Sequence, residues 1–170
     1  MNGAFILRLT SVLDAPADLA GLEPETVDAG VWQIAGSLDW ALDTSRVPLA
    51  EKLACIERLP RLLDQIVTSG FGRATAVGYF WEEFVSAKSP EVRQHILEAM
   101  RRGAESSPGE AVISAIQGAE AFRAGPNIDA AGRVAEVAAN RLDLSIGVRE
   151  YARNVSLELQ ADAERWPQRR

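Results

Sequence analysis

The sequence predicts an all-α fold, and three observations carry that expectation. Apolar residues recur at spacings of three and four along most of the chain, which is the period of a helix with one buried stripe. Serine–proline pairs at Ser89-Pro90 and Ser107-Pro108 mark helix starts. The stretches between periodic segments are short, about two to six residues, so consecutive helices must fold back antiparallel. The expected architecture is about eight helices in antiparallel hairpins, forming a single all-α domain over residues 1–170.

The elements follow in order. Ala4 to Leu13 reads as a helix, because its polar positions do not alternate as a strand's would, and Asp14-Ala15-Pro16 ends it. Pro24 then opens the next helix at a first-turn position, with Glu25 at the positive end of the helix dipole. Val27, Val31, Ile34, Leu38 and Leu42 form its stripe, and Thr44-Ser45 closes it. From Pro48, the inner face is Leu49, Leu53, Ile56, Leu59, Leu63 and Ile66. Pro60 lies inside that pattern, and an interior proline costs a helix about 3 kcal/mol, so a kink or break is expected there. Gly70 reads as a C-capping glycine. Arg73 to Ser86 reads as one aromatic helix. Helices starting at Ser89-Pro90-Glu91 and Ser107-Pro108-Gly109-Glu110 carry the stripes Val92-Ile96-Met100 and Val112-Ile116-Ala119-Phe122. After the break at Gly125-Pro126-Asn127, Ala130, Val134, Val137 and Ala138 mark another helix. The last one runs from about Ser145 to Ala163, with Val148, Ala152, Val155 and Leu159 inward.

From Ser89 onward this punctuation resembles a HEAT-type α-helical repeat. Ser89-Pro90-Glu91-Val92-Arg93 opens one helix, Ser107-Pro108-Gly109-Glu110-Ala111-Val112 the next, and Ile146-Gly147-Val148-Arg149-Glu150-Tyr151-Ala152 is similar to the Val-Arg-x-x-Ala start of a second repeat helix. The resemblance implies stacked helix pairs whose shared face binds a partner, usually a protein. The spacing of Val92-Arg93 and Val148-Arg149 does not match a repeat of about 40 residues. Two architectures therefore stay open, a short HEAT-like solenoid and an irregular helical bundle.

Composition narrows the function classes. Hydrophobic residues make up 47% and charged residues 25%, an ordinary globular balance. No basic leader precedes the apolar N-terminus and no apolar run approaches the roughly 18 residues of a membrane span, so a cytoplasmic protein without a membrane partner is expected. The net charge of −6 disfavours nucleic acid, whose phosphates an acidic protein repels. The charge is uneven. Residues 1–46 hold seven acids (Asp14, Asp18, Glu23, Glu25, Asp28, Asp39, Asp43) against Arg8 and Arg46, whereas residues 91–170 hold twelve acids and eleven arginines.

The residues that carry chemistry are sparse. One histidine, His95, and one cysteine, Cys55, cannot assemble a zinc site of the His/Cys kind within one chain. Glu91 and His95 share a helix face, but the pair has no second copy, as a di-iron bundle would need. No Gly-x-Ser-x-Gly elbow occurs, and Gly70-Phe71-Gly72 lacks the third glycine and the preceding strand of a phosphate loop. Neither a catalytic residue nor a cofactor or metal is expected.

Off-stripe aromatics and acids are the candidates that remain. Trp32 and Trp40 fall off the Val31–Ile34–Leu38 line, with Asp39 and Asp43 one turn apart beside Trp40. In Tyr79-Phe80-Trp81-Glu82-Glu83-Phe84 the aromatics cannot all face one way, so Tyr79, and in one reading Trp81, should emerge beside Glu82 and Glu83. The commoner fate of such residues is packing between helices. The functional reading makes Trp32, Asp39, Trp40, Asp43, Tyr79, Trp81, Glu82 and Glu83 a protein-binding surface, since tryptophan and tyrosine dominate interface hot spots. The sequence thus favours a non-enzymatic module for a protein partner with a basic surface, an immunity protein neutralising a bacterial toxin being one specific form. A small-molecule-binding or enzymatic helical bundle and a homodimeric structural protein stay open as alternatives.

Overall fold

The computed structural model of the chain describes residues 23–71, 75–85, 89–123 and 125–166. The segment expected over Ala4 to Leu13 lies outside the described residues. Every regular element among those described is helical.

Helix α1 (Pro24–Asp43) starts on its first-turn proline and ends where the Thr44 N–H bonds to the Trp40 carbonyl at 3.0 Å. Val27, Val31, Leu38 and Leu42 are buried, joined by Ala35 and Ala41, while Ile34 sits at the edge of the core. Pro60 breaks the following segment into α2 (Leu49–Ile56) and α3 (Leu59–Ile66). The break falls before the proline, at Glu57-Arg58, which places Pro60 in the first turn of α3, where a missing N–H costs no helical bond. One consequence corrects the expected inner face of α2. The two short helices are phased separately, so α2 buries Lys52, Cys55 and Ile56 and leaves Leu49 exposed. A widened π turn, Val67–Phe71, follows and contains Gly70, whose φ of 96° only glycine adopts without strain.

The aromatic segment is not one helix. It forms α4 (Thr75–Tyr79), a turn at Phe80-Trp81 and a single 3-10 turn at Glu82–Phe84. The helix breaks after Tyr79, and Phe80, Trp81 and Phe84 all pack in the core.

Two of the next four helices start on a serine cap. For α5 (Pro90–Ser106), the Val92 N–H donates to the Ser89 hydroxyl at 3.5 Å; for α8 (Ile146–Arg165), the Val148 N–H donates to Ser145 at 3.4 Å. Between α5 and α6 (Gly109–Ala121) the elbow is two residues, Ser107 and Pro108. Here Pro108, not Ser107, precedes the helix, and the buried Ser107 closes α5 instead through its N–H to the Gly103 carbonyl at 2.9 Å. Gly125, with φ 139°, makes the break before α7 (Ile128–Ala139).

Hairpin α5–α6 stacks on hairpin α7–α8, with α5 against α7 and α6 against both α7 and α8. Many of the buried residues of these four helices are small, Ala99, Ala111, Ala115, Ala119, Ala131, Ala135 and Ala138 all being essentially inaccessible. Small side chains let helix axes approach closely, so the volume per contact is low and the fit is tight. Helices α2 and α3 lie against α5, α4 lies against α6, and α1 covers α4 and the 3-10 turn.

A single arginine fastens two of the connections. Arg141, in the α7–α8 turn, donates to the carbonyls of Ala104 (3.1 Å) and Ser107 (2.8 Å) at the α5–α6 elbow, while its other nitrogens hold Asp143. These carbonyls end a helix and otherwise lack partners, and a guanidinium supplies donors to several acceptors at once. The Asp64 carboxylate of α3 joins the same node through the Ser107 side chain; burial nevertheless raises its pKa above the ordinary value.

Candidate protein-binding surface

Helix α1 positions most of the candidate residues. Its buried residues define one side, and Ala29, Gln33, Gly36 and Trp40 define the opposite, exposed side. Trp40 is 45% exposed and projects from a stretch of small neighbours, so its indole stands clear of the helix surface. Asp39 and Asp43, each partly buried and engaged within the chain, flank it. Trp32 lies two turns earlier, about 12 Å along the axis.

Trp32 is half-buried because it meets Tyr79. The two rings stack with centroids 6.1 Å apart and planes inclined by 20°. One turn below, the Asp28 carboxylate accepts the Ala76 N–H at 2.6 Å. Asp28 and Trp32 are four apart on α1, and Ala76 and Tyr79 are three apart on α4. The same two faces therefore share a capping bond and a ring stack. Tyr79 still exposes 46% of its surface, which continues the aromatic surface beyond Trp32. Sequence reasoning places Trp32, Trp40 and Tyr79 off the buried stripes, and the structure agrees. It also brings Trp32 and Tyr79 together, although they are far apart in the chain.

Trp81 is a correction. It is 1% exposed and belongs to the core, at ring-centroid distances of 5.4 Å from Phe80 and 6.2 Å from Phe84 in edge-on arrangements. Gly118 of α6 explains how so large a ring fits there. A methyl group at Gly118 would overlap the Trp81 Cβ and come within 2.8 Å of the Met100 Cε. The signal for this pairing is long-range and absent from any local pattern.

Glu82 lies near Glu120 of α6 and Tyr151 of α8. Burial, then Glu120 and Glu83, raise the Glu82 pKa above the usual carboxylate range. Tyr151 donates its hydroxyl to Glu120 at 3.1 Å, and burial together with Glu120 pushes its pKa up to about 12. Arg123 offsets this acidic cluster by pairing with Glu158 at 2.8 Å and Glu120 at 3.6 Å. The candidate acids thus divide, Asp39 and Asp43 lying beside Trp40 and Glu82 lying near Glu120 and Tyr151, with Glu83 next to it in the chain.

A groove of about 300 Å³ between α5 and α7, lined by Gln94, His95, Glu98, Arg101 and Arg133, was not marked by any sequence motif. Its chemistry is largely satisfied internally. Arg101 is committed to Glu98 at 2.8 Å and Glu105 at 3.1 Å, a bond that also holds the Glu98 pKa below its ordinary value. His95 Nδ1 lies 3.0 Å from the Glu91 carbonyl of its own helix. Burial raises the Cys55 thiol to about 11, so it is not the thiolate that nucleophilic or metal chemistry needs at neutral pH. Among the described residues no cluster of three or more His, Cys, Asp or Glu is placed to hold a metal ion, and no helix is long and apolar enough to cross a membrane. Comparison with known protein families, with curated proteins and with solved structures gave no match to the chain.

Proposed function

We propose that this chain is a non-enzymatic protein-binding module that lays the outer face of α1 on a partner with a basic surface. The exposed Trp40 carries this reading. An exposed indole beside two carboxylates has the chemistry of an interface anchor, and the stacked Trp32–Tyr79 pair extends it as a preordered aromatic surface. Asp39 and Asp43 make the rim acidic, which suits lysines and arginines on the partner. The stacking of hairpin α5–α6 on α7–α8 supports the HEAT-like resemblance and the scaffold role it implies. An immunity protein that blocks a cognate bacterial toxin in the cytoplasm is the specific form we favour, since such a protein acts by covering a surface rather than by chemistry.

The test is binding to the products encoded beside this gene, with the full chain. One of them is expected to form a stoichiometric complex. Trp40→Ala should weaken that complex about thirtyfold or more, the cost of truncating a hot-spot residue, with unchanged circular dichroism. Failure of all neighbouring products to bind, or a complex indifferent to Trp40→Ala, removes the reading.

A further inference from the structure

The outward face of α8 carries a second surface, independent of α1. Its buried residues are Ala152, Val155, Ser156 and Leu159. On the outward flank, turned away from these, lie Ile146, Glu150, Arg153, Leu157, Gln160 and Glu164, all exposed. Their spacings of four, three, four, three and four are those of a coiled-coil seam, running along the helix for about 27 Å. Ile146 is 66% exposed and Leu157 58%, two of the most exposed large apolar side chains among the described residues. Glu150 and Arg153 make no ion pair among those residues, although charges elsewhere on this helix, such as Glu158 and Asp162, do.

The order of these four residues is self-complementary. Ile146 and Leu157 share a midpoint with Glu150 and Arg153, between Tyr151 and Ala152. If a second copy of the helix is laid antiparallel about a two-fold axis at that midpoint, Ile146 meets Leu157 of the other copy and Glu150 meets Arg153. Each contact then occurs twice, as a two-fold interface requires. In heptad terms the layers pair an a position with a d position, the pairing of antiparallel coiled coils. Gly147 and Asn154 flank the seam with little bulk, and nothing lies within 4 Å of the place a Gly147 Cβ would take.

We infer that the outer face of α8 is a self-association surface, on which two copies of this chain pair antiparallel through two Ile146–Leu157 layers around two Glu150–Arg153 ion pairs. A parallel arrangement about the same seam sets Glu150 against Glu150 and Arg153 against Arg153. Charge therefore selects the antiparallel register. A single helix pair of this length buries less than the ~1,200 Å² of a standard stable interface, so the dimer is a weak one.

Sedimentation of the full chain at low salt, from about 10 µM to 1 mM, the range in which such small interfaces populate, tests this. The wild-type chain is expected to pass from monomer to dimer. Leu157→Glu should hold it monomeric with unchanged helicity, because Leu157 is exposed in the monomer. Glu150→Arg and Arg153→Glu, singly, set like charges opposite each other and should each weaken the dimer at least about tenfold. The double variant Glu150→Arg/Arg153→Glu restores opposite charges in the same register and should restore the dimer. A chain that stays monomeric at 1 mM overturns the proposal. So does a dimer insensitive to the single charge reversals, or a double variant that fails to recover.

Discussion

The two halves of the molecule solve the packing problem differently. In α5 to α8 the helices are long, two of them, α5 and α8, are capped by their own serines, and many of their buried residues are alanines. In α1 to α4 only α1 is long. The remaining pieces are broken at Pro60, Gly70 and Tyr79, and the volume is filled by aromatic rings. Small-residue packing gains stability from many close backbone approaches, so no one side chain dominates. Aromatic packing concentrates it in a few large rings, and rings that do not fit inside are left at the surface as Trp40 and Tyr79. The region built from large parts is thus also the one with exposed aromatic side chains.

Substitutions can break this contrast. The largest effect is expected at Trp81. Trp81→Ala empties the ring-filled pocket against Gly118 and should cost about 3–5 kcal/mol in denaturant unfolding. A loss under about 1 kcal/mol would show that the aromatic half tolerates cavities. Arg141→Ala comes next. It removes two charge-assisted bonds to buried helix-end carbonyls and should cost about 2–3 kcal/mol, which would show that the small-residue half depends on its elbows as well as its alanines. Trp40→Ala, by contrast, should change stability by no more than about 0.5 kcal/mol, as an exposed residue does. Equal destabilisation by Trp40→Ala and Trp81→Ala would erase the distinction between displayed and buried rings.

The smallest effect concerns protons. Tyr151 binds its proton more tightly in the folded chain, with a pKa of about 12 against an ordinary 10.0. Its contribution to stability is therefore fully present below pH 10 and is lost as pH rises through about 12. Ultraviolet titration should show one of the two tyrosines ionising in that upper range, and Glu120→Gln should bring it down by removing the adjacent charge. No change in Glu120→Gln would assign the shift to burial alone.

Much of the architecture is readable from apolar spacing. The stripes of α1, α5, α6 and α8 are buried as their periods predict, apart from the half-buried Ile34 and Val148, and the Ser89-Pro90 cap is where the sequence puts it. Elsewhere competing local rules intervene. Pro60 moves the break ahead of itself and rephases α2, so Leu49 is exposed while Lys52 turns inward. Pro108 displaces Ser107 from the capping position. Past Tyr79 the chain leaves the helix, yet Val77, Phe80, Trp81 and Phe84, spaced as one helical face, are all buried, so both Phe80 and Trp81 turn inward. The Trp81–Gly118 fit and the Arg141 bonds join distant segments and leave no local signature. The Ile146–Glu150–Arg153–Leu157 order was present in the sequence throughout. It becomes meaningful only once the opposite face of α8 is known to be the buried one.

The Asp28–Ala76 bond has a consequence for how the chain opens. A helix of five residues cannot hold itself together in water, and α4 draws its N-terminal acceptor from a carboxylate 48 residues earlier. The Ala76 amide is therefore shielded from hydrogen exchange only while α1 is docked, and it exchanges when α1 lifts rather than when α4 frays. A partner clamped on the far side of α1 would accordingly slow deuterium uptake at an amide it never touches.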